Sequence, residues 1–108
     1  MAFDFDQALA EALQAGLKAA EPGGKVAQAW IRDSARANGD TLAAIAEGVA
    51  RQQISKETAE MLLRENARAL RSEAAALAVM IKAAAQAAAN AFVDSLFAAL
   101  RTALKLAL

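Results

Sequence analysis

The chain has no cysteine, no histidine and no tyrosine, and only one proline and five glycines among its 108 residues. Each absence closes a class of chemistry. Without cysteine there is no disulfide, thiolate zinc site, iron–sulfur ligation or thiol nucleophile. Without histidine the commonest general base and the commonest transition-metal ligand are gone, and with them every Ser-His arrangement and the Glu-x-x-His signature of di-iron bundles. Twelve basic residues cancel twelve acidic ones, so no global charge draws the chain to nucleic acid or to an anionic bilayer. The start, MAFDFDQ, places Asp4 and Asp6 where a secretory leader carries positive charge. The expected location is therefore the cytoplasm, or a particle assembled there.

What remains is dominated by alanine. Of the 57% of residues that are hydrophobic, 33 are Ala and only 29 carry a large apolar side chain. Residues 74–93 are long enough to cross a bilayer, but Ala is nearly neutral for insertion and a central Lys82 opposes it by about 2.5–3.5 kcal/mol. The β-branched residues are few and no stretch alternates with period two, so the expected fold is all-α and a single domain over residues 1–108.

Punctuation divides the chain. Asp4 or Asp6 caps a first helix, about 4–20, whose Phe5, Leu9, Leu13 and Leu17 recur every fourth residue. Glu21-Pro22-Gly23-Gly24 stops it. A second helix, about 25–38, carries Val26, Trp30 and Ile31 on one side and ends at Asn38-Gly39. Asp40 is read as the cap of a short third helix, about 41–53, with Leu42, Ile45 and Val49 as its inner face. Ser55 caps the fourth. Beyond it the remaining 53 residues contain neither Gly nor Pro, which predicts one long helix, about 56–107, continuous or kinked near Asn90. Unbroken, it would measure roughly 80 Å.

Two apolar surfaces run along that segment. Positions 63, 67, 70, 74, 77, 81, 84, 88 and 91 follow heptad spacing and read Leu, Ala, Leu, Ala, Leu, Ile, Ala, Ala, Ala, a pattern that lets helices approach closely. Past Ala91 the apolar arc rotates to Phe92, Val93, Leu96, Phe97, Leu100, Ala103 and Leu104, with Asp94, Arg101 and Lys105 opposite. A chain this short is expected to be unable to cover both surfaces. The Ala-rich segment 74–108, with its amphipathic end, is therefore read as a self-association element that completes a hairpin or bundle by oligomerisation. Its expected interface residues are Leu63, Leu70, Leu77, Ile81, Ala84, Ala88, Ala91, Phe92, Leu96, Phe97, Leu100 and Leu104.

Other motifs carry less. Ser55 to Ala59 follows a short helix as a DNA-recognition helix would, but Gln52 and Gln53 occupy the turn and Glu57, Glu60 and Glu65 oppose Lys56 and Arg64. Pro22-Gly23-Gly24-Lys25 lacks the first glycine and the Ser/Thr of a phosphate loop, with Ala19 and Val26 in their places. Arg64, Arg68 and Arg71 form a row that the neighbouring glutamates offset, and it reads as a solvated face. Lys82 reads as a snorkelling lysine, and Gln86 and Asn90 as candidates to fix register on a buried seam. No catalytic residue, cofactor, metal site or small-molecule substrate is expected. The sequence is thus read as a non-enzymatic helical assembly protein that binds copies of itself or partner chains in a larger particle, such as a virion or a secretion or encapsulation device. A membrane-active chain working through an amphipathic helix at 92–108 is the alternative reading. Nucleic-acid binding ranks last.

Overall fold

A computed structural model describes residues 3–108; Met1 and Ala2 lie outside the described residues. Four helices make the fold: α1 Phe5–Ala20, α2 Gly24–Ala50, α3 Lys56–Ala75 and α4 Val79–Leu104, with a 3₁₀ turn Glu21–Gly23 between α1 and α2. No strand occurs among the described residues. The longest dimension is 43 Å, about half that of the unbroken helix expected from the sequence, because the chain folds back on itself.

The first helix starts where its cap dictates. Asp4 Oδ1 accepts from Gln7 N at 3.1 Å, satisfying a free N–H at the positive end of the helix. Its inner face is not the Leu stripe. Ala8, Ala12, Gly16 and Ala20 are the buried residues, whereas Phe5, Leu9, Leu13 and Leu17 lie beside them, half-buried on the flank. The small residues win the interior because α1 lies close against α4, where Ala84, Ala85, Ala88 and Ala89 are buried. A Cβ at Gly16 would stand 3.3 Å from the Ala88 carbonyl oxygen and 3.0 Å from Ile31 Cγ1, so α1 meets the backbone of α4 and a side chain of α2 there.

The two middle helices expected at about 25–38 and 41–53 are one helix. α2 runs through Asn38-Gly39, and Asp40 is exposed mid-helix rather than a cap. The apolar period explains it: Ala27, Ile31, Ala35, Leu42, Ile45, Ala46 and Val49 are buried in unbroken register across the Asn-Gly pair. A Gly in a helix interior costs about 1 kcal/mol, while burying a Leu or Ile contributes about 1.5–3 kcal/mol each, so packing overrides the stop. Asn38 is also held in the helix, its Nδ2 donating to Ser34 O at 2.7 Å and its Oδ1 accepting from Asn66 Nδ2 of α3 at 3.1 Å. Val26 departs from its expected partners: Ile31 is fully buried, but Val26 is 64% exposed.

The true end of α2 is a Schellman turn without glycine. Gln52 N donates to Val49 O at 3.0 Å and Gln53 N to Gly48 O at 2.7 Å, with Gln52 in the left-handed region at φ 60°. Ser55 then caps α3 as the sequence indicates, its Oγ accepting from Thr58 N at 3.1 Å.

The segment expected as a single helix over 56–107 is two helices. It reverses at Ala76-Leu77-Ala78, well before Asn90, which lies within α4. Folding back lets Ala59, Leu63, Ala67, Leu70 and Ala74 of α3 face α4, which α1 and α2 also cover. α4 ends at Leu104 because Lys105 turns left-handed, φ 58°. The tail then lies on α3: Leu106 is buried, Ala107 N donates to Glu60 Oε2 at 2.6 Å, and Arg64 Nη2 donates to Ala107 O.

Candidate interaction surface

The residues that the sequence marks for an oligomer interface come together, but inside one copy of the chain. Leu63, Leu70, Ala84, Ala88, Phe92, Leu96 and Leu100 are buried, and Leu77, Ile81, Phe97 and Leu104 are half-buried against the same core. Ala91 is half-buried. Both apolar surfaces are covered by the chain's own helices. The expectation that it is too short to cover both surfaces is corrected: the reversal at 76–78 provides the cover. α4 is long and apolar enough to cross a membrane, yet its apolar side faces the other helices.

The arginine row of α3 borders an open groove of about 440 Å³ against α4, lined by Arg64, Arg68, Arg71, Ser72 and Phe97. The expected offset by neighbouring glutamates does not form as ion pairs. The one salt bridge among the described residues is Arg51–Glu47, 3.9 Å and exposed, so no carboxylate lies within 4.0 Å of the three guanidiniums. Two of them take neutral oxygens instead, Arg64 that of Ala107 and Arg71 the Asn90 Oδ1 at 2.9 Å. Asn90 is thus an exposed partner of Arg71, not a buried register residue, and Gln86 is exposed beside it. Lys82 is half-exposed. Among the described residues no three carboxylates gather as a metal site would require.

The least expected surface is the α3–α4 reversal. From Ala74 to Ile81 the chain has no polar side chain, and most of this run faces solvent: Ala75, Ala76, Ala78, Val79 and Met80 are exposed, Val79 by 89% and Met80 by 94%. Loop tips are ordinarily polar, because their residues stay in water. Leaving Val and Met side chains in water forgoes about 1.5–3 kcal/mol each relative to burial. The start of α2 lies at the same end: a Cβ on Gly23 would stand 2.6 Å from Ala84 Cβ and 4.0 Å from Ile81 Cβ. Exposed Val26 lies one turn further along α2. Sequence periodicity hides this patch, because residues 74–81 fit the interior of a helix, where an apolar run is unremarkable. The missing signal was the absence of any charge between Glu73 and Lys82.

No known protein family, no curated protein and no solved structure matches this chain.

Proposed function

We propose that this chain is a non-enzymatic helical assembly protein, joining copies of itself or a partner chain into a larger particle. The observation that carries the reading is the uncharged apolar tip Ala75–Ile81, with Val79 and Met80 almost fully exposed at the end of a bundle whose own core is closed. A monomer gains nothing from such a tip, whereas an interface that covers it recovers the hydrophobic term forgone in water. The site of association thus moves from the Ala-rich face of α4, which the chain uses internally, to the reversal that precedes α4.

Sedimentation velocity on the wild-type chain and on a Val79→Glu/Met80→Glu variant tests this. Association that rises with wild-type concentration and is lost in the variant is expected, with helical content unchanged. Wild type that stays monomeric across the micromolar range refutes self-association. A second reading, shallow insertion of the same tip into a bilayer, is favoured by the run of apolar residues closed by Lys82. Flotation with anionic vesicles separates it: binding to vesicles without self-association would replace the assembly reading.

A further inference from the structure

We propose that the α3–α4 reversal is a domain-swap hinge. It opens to make α3 and α4 one helix, and the partner that receives α4 is a second copy of this chain. The proposal rests on the self-association reading above and names its partner and geometry.

Three independent features of the reversal point there. First, the turn is built from residues that favour the helix it interrupts. Ala76-Leu77-Ala78 contains two of the best helix former and a Leu, with no Gly, Pro, Asn or Asp, and no turn residue has a positive φ. Second, both helix ends it creates are poorly finished. α4 has no side-chain cap at Ala78, and the carbonyls at the end of α3 are met only by short local bonds such as Leu77 N to Ala74 O at 3.3 Å. In the straightened helix Val79 N and Met80 N would bond to the carbonyls of Ala75 and Ala76. Third, the exposed residues fall on the hinge itself. When two opened copies exchange α4, their long helices cross antiparallel at residues 74–81. There Ala74, Leu77 and Ile81 share one face of the straightened helix with Met80 on its flank, and these residues of each copy meet those of the other.

Exchange preserves the interior. Every contact α4 makes with α1, α2 and α3 is remade with the partner's helices, and the Glu60 and Arg64 bonds to Ala107 become bonds between chains. Only the hinge changes its surroundings. Short connections between elements that exchange intact are the recognised route to swapped dimers.

The chain has no cysteine, so Arg68→Cys and Ala98→Cys place two spin labels uniquely on exposed positions. Arg68 and Phe97 border the same groove, so the labels are close in the folded-back chain. Thirty residues apart on one continuous helix, they stand about 45 Å apart. Labelled protein is unfolded with a large excess of unlabelled chain, refolded at high concentration, fractionated by size, and read by pulsed electron resonance. Dimers are expected to show the long distance within a chain and monomers the short one. Ala78→Asp caps α4 in the folded-back form and weakens the straight helix, so it should lower the dimer fraction about fivefold or more. Assemblies whose intrachain distance stays short overturn the swap while leaving the assembly function standing. A chain that refolds only as monomer overturns the swap and self-association together.

Discussion

Replacing Gly23 and Gly39 by alanine, one at a time, tests how tightly the helices are packed. A Cβ at Gly23 would lie 2.6 Å from Ala27 Cβ and 2.6 Å from Ala84 Cβ, and neither neighbour can rotate away because each is fixed to its helix backbone. The start of α2 and the start of α4 must separate to admit it. Overpacking of this kind costs about 1–3 kcal/mol, against roughly 0.4–1 kcal/mol recovered by restricting the unfolded chain. At Gly39 the nearest atom is Leu9 Cδ2 at 3.4 Å, an ordinary contact with the flexible end of a side chain. There the alanine relieves a helix-interior glycine and should stabilise by about 0.5–1 kcal/mol. The two variants should therefore differ by about 0.5–3.5 kcal/mol, with Gly39→Ala the more stable. Urea unfolding followed by far-UV circular dichroism resolves this, and each kcal/mol should move Tm by about 4–8 °C in a chain of this size. Adding Ala84→Gly to Gly23→Ala should recover part of the loss, since it removes one of the two 2.6 Å contacts. If Gly23→Ala proves as stable as Gly39→Ala, α2 and α4 do not approach as described.

Three further substitutions probe single features. Gln52→Gly should raise stability by about 1–2 kcal/mol, because Gln52 holds φ 60° in the turn that ends α2 and glycine occupies that region without strain; a lower urea midpoint would refute the Schellman assignment. Ser55→Ala should cost about 1 kcal/mol by removing the acceptor of Thr58 N, with Ser55→Asp restoring most of it. Leu100→Ala, at a fully buried position of α4, should cost about 2–5 kcal/mol; a loss near zero would place that face of α4 in solvent.

The sequence was most readable where a single residue type has one physical job. Asp4 and Ser55 are caps with oxygens in the right place, and the structure uses both. The all-α class followed from composition, and the alanines of residues 83–91 do permit close helix approach. Three features were hidden for different reasons. Asn38-Gly39 is a helix stop by local preference, and only the burial of Leu42 and Ile45 beyond it carries α2 through. The reversal at Ala76–Ala78 has no local signal at all, since its residues prefer the helix. It exists because α3 and α4 bury more by lying side by side than by extending. Hydrophobicity points to the Leu stripe as the inner face of α1, whereas the spacing between α1 and α4 selects Ala12 and Gly16. The residues expected at an oligomer or partner interface are buried or half-buried within the chain, because sequence periodicity does not distinguish the chain's own helices from a neighbour's.

The alanine-to-alanine seam between α1 and α4 also sets how the protein responds to temperature. A buried alanine removes one methyl group from water, so this seam orders a short list of small groups and freezes no side-chain rotamers at those positions. Less hydrated apolar area appears on unfolding, and the heat-capacity increment should fall below the roughly 1.3–1.6 kcal/mol/K ordinary for a chain of this length. Its stability curve should accordingly be broad and shallow, losing little on cooling. Fit at short range, more than the quantity of oil excluded from water, would then be what holds the bundle closed.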